Sequence, residues 1–215
     1  MTTRRQFLKL AGVTLGGAAL ACSGLTYLGT LTPNPKIIQT NCGGNSKMDS
    51  KILIAYASKC GSTGEVAQAI GQSLCEKGAT VEVRPVKAVT SVDGYRAILV
   101  GSAIRMGQWL PEAVDFLKKN QARLSQMPTA FFTVHMQNVD DSPESQAARA
   151  AYVAPVRQLV TPSAEALFAG KIELARMSFF DRLITQAIKS KEEDLRDWAK
   201  IRAWAQGLPL ALKLT

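Results

Sequence analysis

Residues Lys51 to Val66, KILIAYASKCGSTGEV, pass from an almost unbroken apolar run into a turn of hydroxyls and glycine and then into a helical pattern. An apolar run of this length is a strand covered on both faces, which belongs to a parallel sheet. Ser58, Gly61, Ser62 and Thr63 fall where the following helix begins. Unpaired backbone N–H groups and the positive end of the helix dipole converge there, the arrangement that holds a phosphate. The stretch therefore asks for an α/β chain with a phosphate ligand at its first strand-to-helix turn. The plainer reading of the same residues is an ordinary turn with a Ser/Thr cap.

The remaining pattern extends the α/β reading. Val66, Ile70 and Leu74 recur four apart on a helix that stops at Gly78. Thr80 to Arg84 reads as a short strand, Ala97 to Gly101 and Thr129 to Val134 as buried strands, and Ala166 to Ala169 as a weaker one. Helices fall between them at Pro111 to Asn120, with proline at the first helical position, and at Ser145 to Val160. Such alternation predicts a doubly wound five-stranded parallel sheet of order 2-1-3-4-5 with helices on both faces. A ligand then sits beyond the carboxyl ends of strands 1, 3 and 4, where three loops meet: Ser58 to Thr63, Ser102 to Trp109 and His135 to Asp141.

The loop's spacing narrows the ligand. It has neither the Gly-x-Gly-x-x-Gly of a dinucleotide site nor the Gly-Lys-Ser/Thr of a nucleotide-triphosphate loop. Its Ser-x-x-Gly-x-Thr order resembles the FMN phosphate loop of flavodoxins, with Ser58 and Thr63 as the hydroxyl positions, Gly61 as the glycine, and Cys60 where threonine is usual. The resemblance implies an FMN held by Ser58, Lys59, Cys60, Gly61, Ser62 and Thr63, with Lys59 adding positive charge beside the phosphate. It also implies that the second and third loops flank the flavin ring. Ser102, Ala103, Ile104 and Arg105 would offer backbone N–H groups there, and Met106 or Trp109 a face against the ring, with Gly107 counted among the cofactor-binding residues of the same loop. Trp109 reads equally as an anchor of the next helix, and Arg105 as a solvated charge. His135, the only histidine, lies where strand 4 ends and is counted with the residues that would contact the cofactor; a structural hydrogen-bonding role is its plainer reading, and no catalytic role is assigned.

Composition removes several classes. Four cysteines, at 22, 42, 60 and 75, form no CxxC pair, and with a single histidine they point away from zinc or iron–sulfur centres. Cys75 reads as a small buried hydrophobe, and Cys42 has no visible partner. The net charge of +9 includes Arg4, Arg5 and Lys9, yet the rest of the chain is basic as well. That suits anionic substrates or a lipid surface, and no basic stripe with interleaved aromatics suggests nucleic acid.

Thr3 to Lys9, TRRQFLK, precedes an uncharged stretch from Leu10 to Leu31. The pair of arginines and the glycine-softened apolar core resemble a twin-arginine export signal, which implies the twin-arginine translocase as a partner. That route moves folded proteins, so a cofactor is loaded before export. Ala19-Leu20-Ala21 and Cys22 fit cleavage by a signal peptidase or lipidation at Cys22, and the apolar length is close to the roughly 20 residues that span a bilayer. A soluble periplasmic protein, a lipoprotein and a tethered protein all fit. The expected organisation is a signal or anchor over 1–31, a flexible linker over 32–50 and an FMN-binding domain over 51–210.

After strand 5 come Phe168-Ala-Gly-Lys-Ile, Phe179-Phe180-Asp181-Arg182, Gln186, Ile188 and Asp197-Trp198. Together with Gly101-Ser-Ala-Ile-Arg-Met-Gly, they resemble the menaquinone-dependent protoporphyrinogen IX dehydrogenases of bacteria. The resemblance implies an FMN oxidoreductase that passes electrons from a reduced substrate to a respiratory quinone. Those enzymes work at the cytoplasmic face, unlike a chain bearing an export signal, so the fold and flavin carry over further than the substrate. A flavodoxin-type carrier serving a redox protein partner, and a flavin-free exported interaction module, are the other classes. Asp181 to Lys191 reads as a helix that either covers the sheet or rests on an anionic membrane surface.

Overall fold

The computed structural model describes residues 37–42, 51–179, 181–183 and 191–214. The expected export signal, most of the expected linker and most of the helix expected over Asp181 to Lys191 lie outside the described residues. In chain order the elements are β1 (Thr40–Cys42), β2 (Lys51–Ala57), α1 (Ser62–Glu76), β3 (Thr80–Pro85), β4 (Ala97–Arg105), β5 (Gln108–Trp109) and α2 (Pro111–Leu124). They continue with β6 (Thr129–His135), α3 (Pro143–Arg157), β7 (Ala164–Ala169), β8 (Lys171–Ile172), β9 (Glu193–Asp194) and α4 (Trp198–Ala211).

The main sheet runs β1-β3-β2-β4-β6-β7. Its parallel part, β3-β2-β4-β6-β7, is the expected 2-1-3-4-5 order. Side chains alternate across it, as a period of two requires. Ile52, Ile54 and Tyr56 of β2 join Val66, Ile70 and Leu74 of α1 and Ile201, Ala205 and Leu208 of α4 in one core. Leu53, Ala55 and Ala57 join Phe116 and Leu117 of α2 and Val153 and Val156 of α3 in the other. Each fully buried side chain of this size contributes about 2 kcal/mol. α1 ends as expected, with the Gly78 and Ala79 amides donating to the Cys75 and Leu74 carbonyls.

Two segments differ from the sequence reading. Thr40–Cys42, within the stretch read as a linker, pairs antiparallel with the outer edge of β3, and Cys42 is joined to Cys75 of α1 by a disulfide. Cys42 therefore has a partner, and Cys75 is a cross-link rather than a free buried hydrophobe. An open strand edge attracts any extended segment that can satisfy its N–H and C=O groups. Here a sulfur bridge and the Tyr56 hydroxyl, bonded to the backbone of Ile38, hold the segment in place.

The second difference is β4, which continues to Arg105 instead of ending at Gly101. Met106 and Gly107, at φ 52° and 75°, make a tight turn into β5, so most of SAIRMGQW is a hairpin rather than a loop.

Among the described residues, those between 37 and 173 and between 192 and 214 form one unit, and those between 174 and 191 belong to a second. In the second, the Ser178 hydroxyl accepts from the Asp181 amide at 3.2 Å and donates to the Asp181 carboxylate at 2.7 Å. Arg182 donates to the carbonyl of Ala175. Asp181 and Arg182 of the distinguishing Phe-Phe-Asp-Arg segment are thus occupied in a local helix start.

Candidate functional site

β2 and β4 are adjacent, and their successors lie on opposite sides of them, so the sheet has its switch point between these strands. The pairings Ala57↔Ser102 and Ala103↔Val134 bring the exits of β2, β4 and β6 to the same end. The three expected loops therefore share one edge of the sheet.

The first loop is shaped by its own hydrogen bonds. Ser58 Oγ accepts from the Gly61 amide at 2.9 Å, and Gly61 adopts φ 94°, a conformation that a side chain would strain. Gly61 caps α1 and supplies no side-chain bond. Ser62 Oγ accepts from the Lys171 amide at 3.1 Å. A serine hydroxyl that accepts an amide keeps its proton to donate, so Ser58 and Ser62 are set up as donors.

Thr63 is only 1% exposed, and its hydroxyl has no hydrogen-bond partner. A buried hydroxyl without a partner costs about 1–3 kcal/mol. An orphaned hydroxyl at a helix start that lacks a side-chain cap fits the terminal phosphate of FMN, whose oxygens accept from hydroxyls and amides alike. Lys59 and Cys60 are half-buried within the same loop. Lys59 and Gly61 also border a cavity of about 300 Å³ shared with Ile37, Tyr56 and Val86.

The second loop presents less than the sequence suggests. Ser102 is fully buried, and its hydroxyl accepts from the Leu110 amide at 2.9 Å. Ala103 pairs with β6, and Ile104 and Arg105 with β5, so these residues lie in strands rather than in a loop. Trp109 is 4% exposed. Its indole N–H donates to Thr133 Oγ1 at 3.0 Å, and its ring meets Phe131 edge-on at 5.2 Å. It is a core residue rather than a surface anchor. Met106, 93% exposed, and Gly107 form the hairpin tip.

The third turn is braced from α3. His135 is buried, and its Nδ1 hydrogen-bonds the Gln137 carbonyl at 2.7 Å. A carbonyl only accepts, so Nδ1 carries the proton and Nε2 is the bare nitrogen. Burial holds the imidazole below its usual value, against the Gln137 bond, which works the other way; Arg149 and Lys200 lower it further. The Gln137 bond fixes the orientation of this neutral ring. Arg149 donates to the Asn138 carbonyl at 2.6 Å and to that of Asp140, and Asn138 donates to the Tyr152 hydroxyl. Ser142 donates from its hydroxyl and amide to the Asp140 carboxylate, which is held at about 2.

Sequence reasoning missed a set of contacts behind the first loop. Glu65, in the first turn of α1, is paired with Arg196, which also grips Asp194 at 2.7 Å and lies 4.5 Å from the centre of the Trp198 ring. Asp197 caps α4 by accepting from the Lys200 amide. No local pattern in the sequence signals this pairing, which joins residues 131 positions apart.

The profile of the family described as flavodoxin domain matches residues 53–198. The protoporphyrinogen IX dehydrogenase (quinone) of Leishmania major is 27% identical over 180 residues, covering 75% of this chain and 77% of that protein. Its counterpart in Escherichia coli K12 is 26% identical over 170 residues, 73% of this chain and 93% of that one. Among solved structures, a flavodoxin from the domain Archaea aligns at 16% identity and a TM-score of 0.47, over 76% of this chain and 99% of that chain.

Proposed function

This chain belongs to the flavodoxin domain family and takes FMN, and from that premise we propose that it is an exported oxidoreductase passing electrons from a reduced organic substrate to a quinone-type acceptor. The observation that carries the reading is the buried, unpartnered Thr63 hydroxyl at the uncapped start of α1. FMN, when bound, supplies the hydride and electron chemistry. The chain supplies position. The 58–63 loop fixes the phosphate end, and the Met106–Gly107 tip and the turn after β6 bound the mouth. His135 keeps its Nδ1 proton on Gln137 and is not the proton donor.

The acceptor and substrate classes follow the relatives, both named protoporphyrinogen IX dehydrogenase (quinone) and matched over most of their length. Export rests on the twin-arginine motif, with the translocase as partner. The Cys42–Cys75 disulfide supports it independently, because such bonds persist in oxidising compartments. The mature protein then works beyond the cytoplasmic membrane, either soluble or held at the membrane surface through Cys22 or an uncleaved signal.

Protein purified from a twin-arginine-competent host tests the reading. A flavin spectrum together with saturable quinone reduction by a porphyrinogen supports it. Flavin that exchanges electrons only with redox proteins makes the chain a carrier, and a colourless protein that takes up no FMN removes the enzyme altogether. Replacing Arg4 and Arg5 by lysine should leave the protein in the cytoplasmic fraction, and unchanged export would refute the route.

A further inference from the structure

We infer that Arg196 is a positioning residue for the FMN phosphate, acting through Glu65; the inference rests on the FMN assignment above. Glu65 stands in the first turn of α1, two residues beyond Thr63. A carboxylate at a helix start is drawn to the positive dipole end, and so competes with a phosphate for the same field and repels the dianion. The side chain of Glu65 is 16% exposed, which leaves little water to screen that charge.

Arg196 answers this charge from a fixed frame. Its side chain is 6% exposed, it is paired with Glu65, and both of its remaining faces are occupied. Two of its nitrogens, Nε and Nη2, bond the two carboxylate oxygens of Asp194, and the guanidinium lies over Trp198. Asp194 belongs to β9, which pairs with β8 at Lys171↔Asp194. The amide of that same Lys171 donates to Ser62 in the phosphate loop. The β8–β9 ladder therefore grips the loop at Ser62 and delivers a cation to the only acid in the opening turn of the helix. A planar guanidinium holds two carboxylates at once with fixed geometry, which an ammonium does not. The β8–β9 ladder is thus part of the phosphate site.

Flavin fluorescence quenching separates this role from mere bracing. The full-length protein, stripped of flavin, is titrated with FMN and with riboflavin, which has the same ring and no phosphate. Arg196→Gln should weaken FMN by about tenfold or more while leaving riboflavin unchanged. Glu65→Gln with Arg196→Gln should recover FMN binding, since the repelling charge has gone too. Glu65→Gln alone, which keeps the arginine, should bind FMN as tightly as the wild type or more tightly, and it serves if Arg196→Gln does not fold. The inference is overturned if FMN and riboflavin weaken together, if the double variant fails to recover, if Glu65→Gln alone loses FMN, or if Arg196→Gln binds FMN like the wild type. A wild type that takes up neither flavin overturns the FMN assignment as well, which marks that failure apart from the others.

Discussion

Cys42 and Cys75 are joined across 33 residues, tying the edge strand β1 to the last turn of the helix whose first turn forms the phosphate loop. Closing a loop of that length stabilises a fold by about 3–4 kcal/mol on the chain-entropy account. Cys42→Ser, or reduction of the wild type, should lower the urea midpoint accordingly, and the oxidised protein should be lighter than the reduced one by two hydrogens. Coincident midpoints with and without reductant would show that the bond contributes no stability.

The Tyr56 hydroxyl accepts from the Ile38 amide at 2.7 Å and donates to the Ile38 carbonyl at 3.0 Å. Burial raises its pKa, so it stays protonated and keeps both roles. Tyr56→Phe removes both bonds and leaves the buried Ile38 backbone groups without them, a loss of about 1–3 kcal/mol. Amide exchange should accelerate at residues 38–42 and remain slow in β2 and β4. Unchanged exchange at Ile38 would mean that the β1–β3 ladder alone holds the segment.

His135 has a folded pKa below its ordinary 6.5. As pH falls through that value the unfolded chain binds a proton that the folded chain resists, so stability is full above it and declines below it. The decline is at most about 1.4 kcal/mol per pH unit. His135→Gln retains a donor for Gln137 and should flatten the change in unfolding free energy from about pH 7 to about pH 5. Equal slopes in the two proteins would contradict the neutral assignment.

What the sequence makes legible follows from how local each signal is. Strand order and helix positions are written in short apolar periods, so β2, β6 and α1 are readable within a few residues of their bounds. The phosphate loop is readable because its hydroxyls and glycine are adjacent in sequence. Trp109 is not, since whether an indole faces a ligand or Phe131 depends on a hairpin whose turn, Met106–Gly107, lacks the usual Asn-Gly signal. Thr40–Cys42 looks like linker by composition, and only its long-range partners, β3, Cys75 and Ile38's contact with Tyr56, make it structure. The pairing of Glu65 with Arg196 spans 131 positions, beyond any local pattern.

The account turns on a phosphate held by the loop from Ser58 to Thr63, and Thr63→Val tests it most directly. The substitution keeps the side chain's shape and removes the orphaned hydroxyl. FMN titration of the wild type and the variant, with riboflavin in parallel and thermal melts of both apoproteins, gives the answer. FMN affinity should fall by about tenfold while riboflavin affinity holds and the apoprotein melts at the same temperature or higher. Equal FMN affinity in the two proteins would contradict the account.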